Sequence, residues 1–308
     1  MSDNRSIQTV MANGTKIAYE MYGSNKAPVI LLVHGLGAPM TAWPMAMVNK
    51  LVDEGFCVLR IDNRDMGQSQ KFDQLKMPNM LWQFIKLKMG WSVTAPYALT
   101  DMMQDVLGVL DALGIDKVHL VGASMGGMIS QLVAIHAPDR VKSLTSIMSH
   151  TGNPKLAGPT KAVSDHLLKK PKINNKKDVI AYHIKTWEII SGPIHTTSDA
   201  DRYEYVLGLM ARGMSATGTA RQMLAIMATP SRVNELSSLT MPCQVIHGTD
   251  DPLILVAGGV ETAESIPNAQ LHLIEGMGHD LPAQLHDKIC GLIRDQANKT
   301  EKQLQAAL

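Results

Sequence analysis

Between Val118 and Met128 the chain runs Val-His-Leu-Val-Gly-Ala-Ser-Met-Gly-Gly-Met. The short apolar run after Asp116 fits a buried strand, and Met125 to Ala137 fits a helix, so Gly122 to Gly126 must turn sharply between them. Such a turn needs glycines two residues either side of the serine, because strand and helix pass too close for a Cβ. Ser124 is then held at a strained tip with Oγ exposed, and the Met125 amide lies at the positive end of the helix. This pattern is that of a nucleophile elbow. The plainer reading is a serine capping an ordinary helix. That reading accounts for the serine, but the strand, the glycines and the helix together favour the elbow.

The rest of the chain supplies elements to surround that turn. Ile7 to Met11 and Ile17 to Tyr22 flank Asn13-Gly14, a strong hairpin signal, so an antiparallel ribbon is expected first. Pro28 to Val33 is a continuous apolar run, as in a strand covered on both faces. It ends at His34-Gly35-Leu36-Gly37, a turn whose amides are free to meet a ligand, and Leu36 is the candidate for a second oxyanion-hole amide beside that of Met125. Neither glycine cluster spells a dinucleotide or phosphate cradle, and no cofactor is expected.

Further strands are expected over Phe56 to Ile61, Arg140 to Met148, Cys243 to His247 and Gln270 to Ile274, with helices over Met45 to Val52, Asp101 to Leu113, Val256 to Ser265 and about Ala283 to Ala297. Asp62 and Arg64, in a charged strand-end loop, suit either a catalytic role or, the favoured reading, a pair that braces the loop. Asn79 to Met89 mixes Leu81, Trp82, Ile85, Leu87 and Met89 with Lys86 and Lys88, as either a surface helix or a frame for a pocket mouth. From about Gly152 to Ser238, strand signals are absent and Met- and Leu-rich helical segments follow Pro154, Pro159 and Pro171. Met210, Met214, Met223 and Met227 there suit either an adaptable apolar pocket or core packing. Alternating strands and helices give an α/β fold with a mostly parallel central sheet, helices on both faces and a helical cap inserted late in the sheet. The expected organisation is core over 1–150, cap over 151–238, core again over 239–298 and a polar tail over 299–308.

Composition narrows the partners. Twenty-nine basic residues against 28 acidic ones, a net charge of +1 and no long basic run disfavour nucleic acid. The first six residues lack the apolar core of a signal peptide, and the longest apolar run is too short for a bilayer, so a cytoplasmic protein without a membrane partner is expected. Three widely spaced cysteines, Cys57, Cys243 and Cys290, fit neither a disulfide framework nor a zinc site.

Three strand ends present Ser124, then Asp250 or Asp251, then His279 between two glycines. A serine hydroxyl is a poor nucleophile at neutral pH. An imidazole must take its proton, and a carboxylate must hold that imidazole's tautomer and balance its charge. A metal site from the same aspartates and His279 lacks paired ligand spacing. With His34 to Gly37, Asp62 to Ser69, Gly122 to Gly127, Gly248 to Pro252 and Gly276 to Pro282, the chain resembles the α/β-hydrolase superfamily from Ile7 to about Asp295. That resemblance implies Asp251 as the acid, three residues after Gly248. Through Arg64 to Ser69, Pro230-Ser231-Arg232 and Gly276 to His279 it is most similar to the carboxylesterases and the aclacinomycin methylesterase-like branch.

The resulting expectation is a carboxylic ester hydrolase acting on small to medium apolar acyl esters through Ser124, Asp251 and His279, with oxyanion donors Leu36 and Met125. Other triad chemistries (perhydrolase or haloperoxidase, thioesterase, lactonase, carbon–carbon hydrolase) and a non-catalytic small-molecule binder are the alternatives.

Overall fold

The structure, a computed structural model, describes residues 8–168 and 175–306. Ile7, Pro171 and the last two residues of the expected tail lie outside the described residues. Asn13 and Gly14 both take positive φ, 49° and 81°, and close a hairpin between β1 (Gln8–Ala12) and β2 (Thr15–Tyr22). The sheet continues through β3 (Val29–Val33), β4 (Cys57–Ile61), β5 (Val118–Ala123), β6 (Val141–Ile147), β7 (Cys243–Gly248) and β8 (Gln270–Ile274). Its order is β1-β2-β4-β3-β5-β6-β7-β8. β2 pairs antiparallel to β1 and β4, and every later pairing is parallel.

The central strands β3 to β7 are almost wholly buried because helices cover both faces. One layer packs α3 (Leu99–Ala112) and α4 (Met125–His136) against the sheet through Met102, Val106, Ile129 and Val133. The other packs α1 (Met45–Asp53) and α11 (His286–Ala306) through Val48, Leu51, Ile289 and Ile293. α2 (Met80–Lys88) lies in the long connection before α3, and α10 (Val256–Ser265) lies between β7 and β8.

Between β6 and β7 the described residues form only helices: α5 (Lys161–Leu168), α6 (Lys176–Ile190), α7 (Asp199–Arg212), α8 (Ala216–Ala228) and the short α9 (Val233–Leu236). Asn175, Ser198 and Ser215 cap α6, α7 and α8 by accepting from the amides of Asp178, Asp201 and Gly218. Gly213 ends α7 in the left-handed region at φ 113°, so the chain doubles back into α8.

Two expectations need correction. The stretch beginning at Lys299 is not a separate polar tail, because α11 continues to Ala306. Glu301 lies 2.6 Å from Lys142 and 2.9 Å from His119, and Thr300 is buried, so the extra turns have partners that an apolar periodicity does not reveal. Asp62 and Arg64 do brace their loop, but not by pairing with each other. Arg64 forks onto Asp105 of α3 (2.6 and 2.8 Å), and Asp62 accepts from Arg212 of α7 (3.0 Å).

Candidate active site

The site sits at the carboxyl ends of the parallel strands, where the loops after β3, β5, β7 and β8 converge. Ser124 separates β5 from α4 at φ 55° and ψ −123°, a conformation that costs a non-glycine residue about 1–3 kcal/mol. The surroundings enforce it. Its amide donates to Ile147 O (2.9 Å), while its carbonyl accepts from Gly127 N (2.9 Å) and Ser149 Oγ (2.8 Å). A Cβ on Gly122 would strike the Gly126 carbonyl, and one on Gly126 would strike that of Val33. These two glycines let α4 press against the strand ends.

His279 follows β8 in the loop Glu275 to Leu281, and its backbone amide donates to Ile190 O at the end of α6 (2.7 Å). Its Nδ1–H donates to Asp251 Oδ2 (2.7 Å), which leaves Nε2 to accept the Ser124 hydroxyl (3.0 Å). The ring is buried, and so is Asp251. Asp251 Oδ1 also accepts the amides of Leu253 and Ile254, each at 2.9 Å, so both oxygens are engaged. Burial alone would raise the Asp251 carboxyl, but the attraction of His279 and hydrogen bonds from His247 and His279 hold it well below the ordinary carboxylate range. Asp250 lies outside this chain of bonds. It is exposed and accepts from Thr249 Oγ1 (2.6 Å) and Gly276 N (3.2 Å).

The His34 to Gly37 turn lies against Ser124, where a Cβ on Gly35 would come within 2.9 Å of the serine Cβ, and it presents one unused amide. Gly35 N donates to His34 Nδ1 (2.7 Å) and Gly37 N to Gln222 Oε1 (2.9 Å), whereas Leu36 N, like Met125 N, has no hydrogen-bond partner among the described residues. Burial, and then the nearby His279, push the His34 imidazole down to about 3, so it is neutral and its Nδ1 can accept. The arrangement therefore offers a hydroxyl, a base positioned to deprotonate it, a charge behind that base and two unbonded amides on the neighbouring turn and helix start. Among the described residues no group of three or more His, Cys, Asp or Glu is placed to hold a metal ion.

Several contributors carry no sequence signal of their own. Gln222 of α8 bridges the Gly37 amide and the Arg64 carbonyl (2.9 and 2.8 Å), although nothing in a helix's spacing says which residue meets a distant loop. Asn63 donates to His34 O (2.8 Å) and fixes the same turn from the β4 side. His247 at the end of β7 places Nε2 2.8 Å from Ile254 O and 3.4 Å from Asp251 Oδ2, supporting the acid from beneath. Its place four residues before Asp251, on a strand end, was the available clue. Of the four methionines singled out, Met214 packs against Ala38, Ala42 and Leu209.

Known proteins resemble this chain along most of its length. A family model described as alpha/beta hydrolase fold matches residues 28–181, half of the chain. Rhodomycin D methylesterase DauP of Streptomyces sp. is 27% identical, with 86% of this chain and 89% of that one covered. A 2-hydroxy-6-oxononadienedioate/2-hydroxy-6-oxononatrienedioate hydrolase of Burkholderia vietnamiensis is also 27% identical, covering 88% and 87%. Among solved structures, the enol-lactonase from Burkholderia xenovorans superposes with a TM-score of 0.69 at 22% identity, over 94% of this chain and 100% of that one. The chain belongs to the alpha/beta hydrolase fold family.

Proposed function

We propose that the chain is a serine carboxylic ester hydrolase of small to medium apolar acyl esters. Ser124 Oγ attacks the acyl carbon while its proton passes to His279 Nε2, and Asp251 holds the tautomer and balances the imidazolium. The carbonyl oxygen, now an anion, is received by the amides of Leu36 and Met125. Collapse expels the alcohol, which takes the proton from His279. Water, deprotonated by the same nitrogen, then cleaves the acyl-enzyme and releases the acid. The helices over 151–238 form the cap that closes above the strand ends.

The observation that carries this reading is the relay itself: Ser124 to His279 at 3.0 Å and His279 to Asp251 at 2.7 Å. Hydrolysis of a graded series of p-nitrophenyl acyl esters by wild type and Ser124→Ala tests it, together with fluorophosphonate labelling and peptide mapping. We expect the substitution to remove about 10⁵-fold or more of kcat, the label to fall on Ser124, and the fold to be unchanged. Unchanged turnover in Ser124→Ala sinks the assignment, and labelling without ester turnover moves it to another bond. The same triad could act on a carbon–carbon bond beside a ketone. Relatives named as 2-hydroxy-6-oxononadienedioate hydrolases are as similar as the methylesterase, and release of a dienoate chromophore's fragments would identify that case.

A further inference from the structure

Helix α2 is built inside out. Gln83, its buried residue, accepts the Thr94 amide (2.8 Å), and the half-buried Lys86 donates to Thr94 Oγ1 (3.3 Å), so the polar side fastens the returning chain. The apolar side faces out. Leu81 is 71% exposed, Trp82 47%, Met89 60% and Trp91, just past the helix, 53%. Leu81, Ile85 and Met89 follow one another at intervals of four along one stripe, and the Trp82 and Trp91 rings meet edge to face at 6.3 Å. Contiguous exposure of this kind marks a contact surface rather than the scattered apolar exposure every protein has.

The charge along this stretch of chain, between Asp73 and Asp101, points to what covers the patch. From Gln74 to Thr100 the sequence contains no Asp or Glu, while it contains Lys76, Lys86 and Lys88. The whole chain is nearly neutral at +1, so this acid-free positive stretch is local. A second copy docking through the same patch would set lysines against lysines with no acid between them. An anionic lipid surface satisfies both features at once: tryptophans seat at the headgroup level, aliphatic side chains enter the acyl boundary, and lysines meet the lipid charge.

We propose that α2 with the loop through Trp91 is an interfacial binding site for anionic lipid membranes, lying in the surface rather than crossing it. The expectation of no membrane partner rested on the lack of a spanning segment, and no helix among the described residues is long and apolar enough to span. A surface helix needs neither length nor continuous hydrophobicity. The patch adjoins the proposed catalytic region, since α2 packs against α8, whose Gln222 holds the Gly37 turn. The lipid site does not depend on the ester-hydrolase reading.

The test is co-sedimentation of the full chain with vesicles of phosphatidylcholine alone and of phosphatidylcholine mixed equally with phosphatidylglycerol, with tryptophan emission followed in parallel. Wild type binds the phosphatidylglycerol vesicles, with a blue shift and with affinity that falls as salt rises. Lys76→Glu/Lys88→Glu weakens this by about tenfold or more. Trp82→Ser/Trp91→Ser loses binding and the blue shift, while keeping the wild-type circular dichroism and turnover of a soluble ester. Absent binding by wild type, or equal binding by the tryptophan variant, overturns the proposal. So does a wild-type dimer that the tryptophan variant dissolves in the absence of lipid, because the patch then serves a second copy. An inactive but lipid-binding protein would break the hydrolase reading and leave this one standing.

Discussion

Two sets of buried aspartates lie within a few residues of strand ends, and they do opposite things. Asp65 is gripped by Arg221 through two bonds (2.8 and 2.7 Å) and capped by Tyr97 (2.7 Å), while Asp62 takes Arg212, Met40 N and Gln68 N. Each is matched by a permanent cation from the helices between β6 and β7, and each ties that helical region to the sheet. Asp251 instead faces a histidine whose far nitrogen reaches a hydroxyl. A guanidinium holds its proton at any working pH, so the first arrangement can only fasten. An imidazole can take up a proton and return it, which is the role proposed for the second. The partner, not the carboxylate, decides which role an aspartate takes.

The contrast can be broken most severely at Asp251. Asp251→Asn should lower kcat on a p-nitrophenyl ester by about 10⁴-fold through the wrong His279 tautomer, with little change in fold. Next, Arg221→Met strands the Asp65 charge and should cost about 3–5 kcal/mol in urea unfolding. Adding Asp65→Asn should recover part of that loss, and no recovery would mean that the pair acts by shape alone.

Asp280 offers a subtler case, because its buried Oδ1 has no partner among the described residues and its Oδ2 takes only the Ser191 hydroxyl. Burial raises this carboxyl to about 6, against the lowering effects of Ser191 and His279. The native state thus holds a proton that the unfolded chain releases near pH 4, so wild-type stability falls as pH climbs from about 4 to 6. Asp280→Asn should remove that fall and be more stable at pH 8 by roughly 2–3 kcal/mol, converging with wild type below pH 4. A pH-independent difference between the two urea midpoints would refute the assignment. The smallest effect belongs to Asp250→Asn, which should leave kcat within about twofold, since an exposed turn carboxylate contributes little. A loss rivalling that of Asp251→Asn would reverse the choice of acid.

Local features were legible in the sequence and long-range partners were not. The elbow, the hairpin at Asn13-Gly14 and the strands over Val29–Val33 and Cys243–Gly248 follow from short-range sterics and periodicity, which act within a few residues. The order Ser124, Asp251, His279 was readable because each lies on a strand end, although only resemblance to a family separated Asp251 from Asp250. Arg64 reaching Asp105, Gln222 reaching Gly37 and Glu301 reaching His119 span 41, 185 and 182 residues. Periodicity marks a helix face but does not name the loop it meets. The outward apolar side of α2 shows the same limit, since the segment reads as amphipathic either way and only the fold says which side is covered.

Gln222 has a consequence for how the molecule comes into being. During synthesis the elbow and the His34 to Gly37 turn emerge early, but the turn's amide waits for a side chain 185 residues downstream, and the base waits longer still, for His279. A nascent chain that has completed β5 carries the serine without its setting. On the proposed function, the Ser124 hydroxyl therefore gains its base only once His279, 155 residues further along and just after β8, has been made.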